Sequence, residues 1–335
     1  MIRKSALQGF EIPGQIERLK VRLFADDTSA YLAESDEYGT LDRILRVWCK
    51  AAKAVFNVKK TEIIPVGEVG FRREFVSEYK TKGAWRDYPP RVRVAEDGSA
   101  VRILGGFFGN GLDDCNVWLP TLEKVAKALE RWGRGHTTLE GKRHAVQFTS
   151  AGMTQFLTEV QGMPDRVLQR INALTRAFFW KGNDHPTVSM AQLCKPFTSG
   201  GRKLVDLEAR NQAIGVMWLK EYLGEKRPTW CFYVDALFAL YAPDATIPRD
   251  MALRINPFLQ TWKPYKHKLP KFMKVLTEAA EKWGLRAEGL AFSREILRGM
   301  IMWYHCEASP AIRKLAADTT RVGVSRETNT TTTDT

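Results

Sequence analysis

The first regular pattern in the chain is an alternation of basic and apolar residues from Arg18 to Phe24. Side chains of a strand alternate between its two faces, so this pattern predicts a half-buried strand with Leu19, Val21 and Leu23 on the buried side. A second β-like run follows from Thr28 to Leu32. Only three residues, Ala25-Asp26-Asp27, separate the runs, which predicts a tight hairpin with both aspartates at its tip.

An amphipathic helix is predicted after the polar start Ser35-Asp36-Glu37, because apolar residues then recur at spacings of three, four and seven. These residues are Leu41, Ile44, Leu45, Trp48, Ala52 and Val55. The segment from Thr61 to Phe108 is typical of short strands and loops. Its strand-like pieces are Thr61 to Val66, Arg91 to Val94 and Val101 to Leu104. Residues 1–115 are therefore interpreted as an α+β unit.

Beyond residue 115 helical spacing dominates. The first helix of this part is predicted from the apolar residues Trp118, Leu122, Val125, Ala126, Leu129 and Trp132. Another helix is predicted to begin at Pro164, because a proline in the first turn of a helix gives up no hydrogen bond. A further helix is predicted from Leu207 to Tyr222, so the second half is predominantly α. The threonine-rich stretch 325–335 predicts a disordered tail.

Composition and charge narrow the class of protein. The chain has 335 residues, of which 44% are hydrophobic and 27% charged. Those fractions exclude general disorder, collagen and coiled coil as descriptions of the whole chain. Lys and Arg number 51 against 38 Asp and Glu, a net charge of +13. Such an excess raises the expectation of a polyanionic partner such as nucleic acid.

Neither secretion nor membrane insertion is predicted. The most apolar run, Cys231 to Ala242, contains Asp235 and falls short of the roughly 20 residues that span a bilayer. The five cysteines form no CxxC pair and show no zinc-site spacing. We therefore expect a reduced, intracellular protein, with no preference between nucleus and cytoplasm.

Two adjacent aspartates at a hairpin tip require a physical reason. Carboxylates about 4 Å apart repel by roughly 4 kcal/mol at an effective dielectric near 20. A magnesium ion removes this repulsion, since it takes one or two carboxylates together with substrate phosphates and water. The alternative is an ordinary turn, in which Asp is common. A second pair, Asp113-Asp114, is interpreted as such a solvated turn.

The hairpin sequence Phe24-Ala25-Asp26-Asp27-Thr28 resembles the F/Y-A-D-D-T signature of reverse transcriptases from non-LTR (LINE-like) retrotransposons. The segment from Asn57 to Glu62 is similar to the family's N-x-x-K-T-E motif, and that from Val101 to Gly106 to its primer-grip hairpin. The stretch beyond the thumb is also similar, through Ile171 to Trp180, Leu193-Cys194-Lys195-Pro196, Gly200 to Leu204, and Asn211 to Trp218. Together these motifs cover roughly residues 1–225 in order.

The resemblance implies a fold and a chemistry. Residues 1–115 would be the C-terminal part of a polymerase palm, 116–225 a helical thumb and the region after it, and 226–324 a basic helical region. Asp26 would bind catalytic Mg²⁺ with Asp27 as its supporting neighbour. Lys60 would donate a proton to the pyrophosphate leaving group, with Lys59 as the alternative and a plain surface lysine as the ordinary explanation.

The family's other catalytic aspartate and its nucleotide-positioning loop have no match in the sequence. The resemblance therefore implies a fragment of an RNA-directed DNA polymerase that is inactive alone, although the complete enzyme would use an RNA template, dNTPs and Mg²⁺. The alternatives are a non-catalytic nucleic-acid-binding remnant and an inert, decaying fragment. The sequence leaves the choice among them open.

Several positions are predicted to contact an RNA template or RNA–DNA duplex. Gly105 and Gly106 would allow a close approach of backbone to a strand, though a glycine strand end is an equal alternative. Basic residues beside the predicted thumb helix are Arg131, Arg134, Lys142 and Arg143. A later basic and aromatic segment contains Lys263, Lys266 and Lys268, and it is either a phosphate-binding surface or an amphipathic connector.

Overall fold

The computed structural model describes residues 1–13, 15–79, 92–181, 186, 188–224, 226–241 and 264–283. The chain divides into two compact units. The first comprises Met1–Phe10 and Arg18–Asn211, and the second comprises Glu11–Glu17 and Gln212–Thr335. The fold is mixed α and β, with small strand pairs followed by a helical part, so the predicted α+β class is confirmed in this general sense.

The described strands form three separate two-stranded sheets. Two are antiparallel hairpins and one is parallel. The pairs are β1 (Val21–Phe24) with β2 (Asp27–Ala30), β3 (Glu62–Ile63) with β4 (Arg93–Val94), and β5 (Val101–Ile103) with β6 (Gly106–Phe108). Two helices lie between the strands along the chain, α1 (Tyr38–Ala52) and α2 (Val69–Glu78).

Eight α-helices follow the strands in the described part of the chain. Their bounds are α3 (Asp114–Gly133), α4 (Leu139–Val146), α5 (Met153–Gln161), α6 (Asp165–Trp180), α7 (Met190–Cys194), α8 (Leu207–Tyr222), α9 (Thr229–Leu240) and α10 (Lys271–Trp283). A π-helical segment, Gln147–Gly152, joins α4 to α5.

The structure corrects three of the predictions made from the sequence. The segment 61–108 was predicted to form short strands and loops, but it contains the helix α2. The sequence signal for this helix is weak, since it consists of Phe71 and Phe75, which lie four residues apart and contact each other. Asp113 and Asp114 are not a solvated turn, because Asp113 caps α3 by accepting a hydrogen bond from the Cys115 N–H at 2.8 Å. Leu23, expected on a buried face, is 65% exposed.

The core of the first unit is built mainly by α3 and α6. Trp118, Val125 and Leu129 of α3 are buried, as are Ile171 and Phe178 of α6. Each such side chain contributes about 1.5–3 kcal/mol when fully buried. This helix pair therefore supplies the rigid body to which the neighbouring loops attach.

The Asp36 carboxylate ties the N-terminal segment to the connection between β2 and α1. Its oxygens accept hydrogen bonds from the backbone N–H groups of Gln8, Gly9 and Ala33 at 2.6, 2.8 and 2.8 Å. Partial burial of Asp36 disfavours its charge, but the three N–H donors outweigh that effect and lower its pKa. The charged form therefore stabilises this corner of the fold.

Replacing Asp36 with Asn is expected to lower the free energy of unfolding by about 1 kcal/mol at pH 7, because a charged acceptor is lost. The folded-state pKa lies below the unfolded one, so the stabilisation is complete above the unfolded value and lost as pH falls through the folded value. Urea denaturation of both proteins from pH 7 to pH 3 measures the difference. A difference independent of pH would contradict the charge-based account.

The second unit has its own core, formed by α8, α9 and α10. A polar cluster lies inside it. Buried Asp235 accepts hydrogen bonds from the Tyr222 hydroxyl at 2.7 Å and from Arg227 Nη2 at 3.0 Å. Burial, and then the Asp235 charge, raises the pKa of Tyr222 well above its usual value. Burial also raises the pKa of the adjacent Cys231 thiol to about 11, which keeps it protonated.

Arg227→Met is expected to destabilise the second unit by about 3 kcal/mol, because it leaves the Asp235 carboxylate buried without a counter-charge. The matched control is Lys226→Met at the exposed neighbouring position, where a surface substitution changes stability by less than about 0.5 kcal/mol. Chemical denaturation of the three proteins at pH 7 makes the comparison. Equal stability of the two variants would show that Arg227 does not neutralise Asp235.

Candidate catalytic hairpin and nucleic-acid interface

The predicted Asp-bearing hairpin is present, with one adjustment. Phe24 pairs with Asp27, so Ala25 and Asp26 form the two-residue turn and Asp27 begins β2. Ala25 has a positive φ of 51°, a conformation in which glycine is the ordinary residue. Both aspartates and the flanking Phe24 are exposed. Within the described residues neither carboxylate has a hydrogen bond or ion pair, so both are available to a ligand.

The surroundings of Asp26 and Asp27 fit part of a magnesium shell. No group of three or more His, Cys, Asp or Glu side chains that could hold a metal occurs among the residues that the structure describes. Two exposed carboxylates are still enough for one Mg²⁺ whose remaining ligands are phosphate and water oxygens. The hairpin could therefore hold an ion brought with a phosphate-bearing ligand, whereas it does not form a closed protein cage.

Lys60 ends a short 3₁₀ turn, Val58–Lys60, and is exposed. Asn57 caps this turn, since its side-chain oxygen accepts a hydrogen bond from the Lys59 N–H at 3.1 Å. Two residues after Lys60, Glu62 pairs with Arg93 at 2.7 Å and anchors β3 against β4. The Asn and Glu of this motif therefore have local structural roles, and the two lysines are left facing solvent.

Gly105 and Gly106 lie where the β5–β6 hairpin packs on α5. A Cβ at Gly105 would lie 2.9 Å from the Phe156 ring, and one at Gly106 would lie 2.9 Å from Val160 Cγ1. Beside them, the Gln161 side-chain amide both accepts from the Phe107 N–H at 2.9 Å and donates to the Phe107 carbonyl at 2.8 Å. Packing against a helix thus accounts for both glycines, and their contact with nucleic acid stays a prediction.

Gly106→Ala is expected to destabilise the first unit by about 1–2 kcal/mol, because its Cβ would overlap Val160. Adding Val160→Ala should recover part of that loss by making room. Thermal denaturation of the two single variants and the double variant measures the coupling. If the double variant is restored in stability but loses affinity for an RNA–DNA duplex, packing alone does not explain the glycine.

The four basic residues beside α3, the predicted thumb helix, fall into two groups, those with exposed charges and those already engaged in contacts. Arg131 and Arg134 are exposed, and Arg134 pairs with Glu130 at 2.9 Å on the surface of α3. Lys142 instead donates to the Phe179 carbonyl at 2.7 Å, which caps the C-terminal end of α6. Partial burial, and then the charge of Lys181, lowers the pKa of Lys142.

Arg143 belongs to the second group. Its side chain is largely buried and pairs with Glu140 at 2.6 Å. Lys142 and Arg143 were predicted to act with the exposed arginines because all four residues are basic and close in the chain. Lys142 joins α4 to α6, whereas the Arg143–Glu140 pair lies within α4, and Arg131 and Arg134 have the more exposed side chains.

The later basic segment is only partly described. Lys263 lies outside the described residues. Lys266 pairs with Glu281 of α10 at 2.7 Å, and the Lys268 ammonium lies 5.1 Å from the centre of the Tyr265 ring. Since Met273 and Leu276 of α10 are fully buried, this part of the segment has the amphipathic character of a connector. Its role as a phosphate-binding surface stays a prediction.

Sequence reasoning did not identify a half-buried arginine that braces α8 against α5. Arg210 donates to the Ala151 carbonyl at 3.0 Å and to the hydroxyls of Thr154 and Thr158 at 3.2 and 3.3 Å. The Thr154 hydroxyl in turn donates to the Ser150 carbonyl in the π-helical segment. Burial lowers the pKa of Arg210. Threonines at positions 154 and 158, four residues apart, are the only sequence signal of this contact.

No protein-family model matches the chain, and no curated protein matches it significantly. Among the described residues, no helix is both long and apolar enough to cross a membrane.

Proposed function

We propose that the chain is part of a reverse transcriptase of the non-LTR retrotransposon type, carrying the Asp-bearing hairpin of the palm and the thumb. The observation that carries the proposal is the hairpin itself. Asp26 and Asp27 are exposed, unpaired within the described chain, and supported by a strained turn at Ala25.

The backbone strain at Ala25 supports a functional interpretation of the hairpin. A left-handed conformation costs a non-glycine residue about 1–2 kcal/mol, and such strain tends to be retained at functional sites. A turn selected for stability alone would have glycine at this position. The retained Ala25 and the adjacent carboxylates are therefore more consistent with a ligand site than with a simple connection.

The chemistry proposed for this hairpin is metal-assisted nucleotidyl transfer. A bound Mg²⁺ would lower the charge on the reacting phosphate and help to activate the attacking hydroxyl. Asp26 and Asp27 would supply carboxylate oxygens to that ion. Lys60, with Lys59 as the alternative, would stabilise or protonate the departing pyrophosphate, since a nearby cation favours negative charge that develops there.

We further propose that the 335-residue chain does not extend a primer by itself. Positioning two metal ions for phosphoryl transfer takes several carboxylates, and among the described residues no group of three or more His, Cys, Asp or Glu side chains could hold a metal. The chain would then act through binding of RNA template and RNA–DNA duplex, with exposed Arg131 and Arg134 as phosphate contacts.

In the test, the purified chain is incubated with a primed RNA template, dNTPs and Mg²⁺, and the products are resolved by electrophoresis. No extension above background is expected. Magnesium-dependent extension that Asp26→Ala abolishes would overturn the inactivity, while supporting the assignment of the hairpin.

Binding of the same RNA–DNA duplex separates the remaining alternatives. Arg131→Gln should reduce the salt dependence of binding by about one counterion, because an exposed phosphate contact is lost. Lys142→Met is the matched control, since this lysine caps α6 and its loss should affect stability more than the salt dependence. No binding at low salt would indicate an inert fragment.

A further inference from the structure

The segment between α7 and α8 forms a rigid loop that the proposed polymerase chemistry does not use. Leu193 and Leu204 anchor its two ends in the core. The Arg202 and Leu204 N–H groups both donate to the Leu193 carbonyl, at 2.9 and 3.0 Å. The Lys203 N–H donates to the Lys195 carbonyl at 2.9 Å, so the two arms of the loop run side by side.

Gly201 explains how closely the two arms approach. A Cβ at this position would lie 1.9 Å from the Lys195 carbonyl oxygen, so only glycine fits. The Gln192 side chain also donates to the Ser199 carbonyl at 2.8 Å. These contacts fix the tip of the loop, so the side chains on the tip are held in place before any ligand binds.

Phe197 is the aromatic residue at this tip, and half of it is exposed. A large aromatic side chain on a rigid surface loop gains nothing from that exposure in the free protein. The Lys203 ammonium lies 5.3 Å from the centre of the Phe197 ring. An aromatic surface with a cation beside it is the combination that binds a base and its phosphate.

The surroundings of this tip are mainly positive. Lys195, Arg202 and Lys203 are all exposed. Glu140, which interacts with Arg202, is already engaged by Arg143, whose hydrogen bond lowers the pKa of that carboxyl, with further contributions from His144 and Arg202. Within the described residues none of Lys195, Arg202 and Lys203 forms an ion pair, so these cations remain able to attract an anion.

We propose that Phe197, Lys203, Arg202 and Lys195 form a binding platform for single-stranded nucleic acid. A base would stack on the exposed part of the Phe197 ring, and the adjoining phosphates would lie against Lys203 and its basic neighbours. An acidic protein segment could satisfy the charges but would not use the ring. The platform does not involve Asp26 or Asp27, so it stands or fails independently of the polymerase assignment.

The test measures fluorescence anisotropy of the full chain with a labelled oligouridylate of about 12 nucleotides, within the range of known single-strand site sizes. Phe197→Ala should raise Kd about tenfold by removing one stacked base, with an unchanged salt slope. Phe197→Trp should retain affinity. Lys203→Gln should instead reduce the salt slope by about 0.7, the value for one phosphate of a single strand.

The matched control is Phe148→Ala. Phe148 is 74% exposed, but no lysine of the described residues lies over its ring, so its loss should leave Kd unchanged. The proposal is overturned if Phe197→Ala binds oligouridylate as tightly as the unmodified chain. It is also overturned if polyglutamate of similar length displaces the labelled oligouridylate and if Phe197→Ala weakens polyglutamate binding to the same extent.

Discussion

Burial of the apolar seam between α3 and α6 is the interaction on which the rest of the first unit depends. Trp118 and Ile171 are almost completely removed from solvent there, and Phe107 of β6 packs against the same cluster. The loop carrying Phe197 is attached through Leu193 and Leu204, which lie in the adjoining cluster with Val125 and Phe178. Interior packing is dense and intolerant of voids, so this seam fixes the positions of several functional candidates at once.

The sequence predicted those parts of the fold in which a single face is consistently apolar. Helices α3 and α6 and the full extent of α8 followed from helical spacing, and the β1–β2 hairpin followed from alternation. Helix α2 was missed because its pattern is short and interrupted. Burial in the hairpin was predicted wrongly, since alternation gives the two faces of a strand but does not tell what covers them.

The candidate site could be predicted only in part. Asp26, Asp27 and Lys60 were identified by a motif, and the structure leaves all three exposed. Lys142 could not be distinguished from Arg131 in the sequence, because capping of α6 depends on a carbonyl 37 residues away. The motif residues Asn57 and Gly201 have evident structural roles, whereas the exposed ring of Phe197, which lies between two of the motif segments, has none. Residues with a structural role could be distinguished from candidate functional residues only by the contacts that they make in the structure.

The two hairpins differ in how their edges are protected. In an antiparallel pair, every second residue directs its backbone N–H and carbonyl away from the partner strand. At Phe107 these outward groups are both bound by the Gln161 amide, which closes that edge of β6. At Leu23 and Thr28 the outward groups have no such partner among the described residues, and the Leu23 side chain is exposed as well. Unpaired edges with apolar side chains promote strand addition, so self-association of this protein at high concentration would begin at β1–β2 and not at the closed edge of β6.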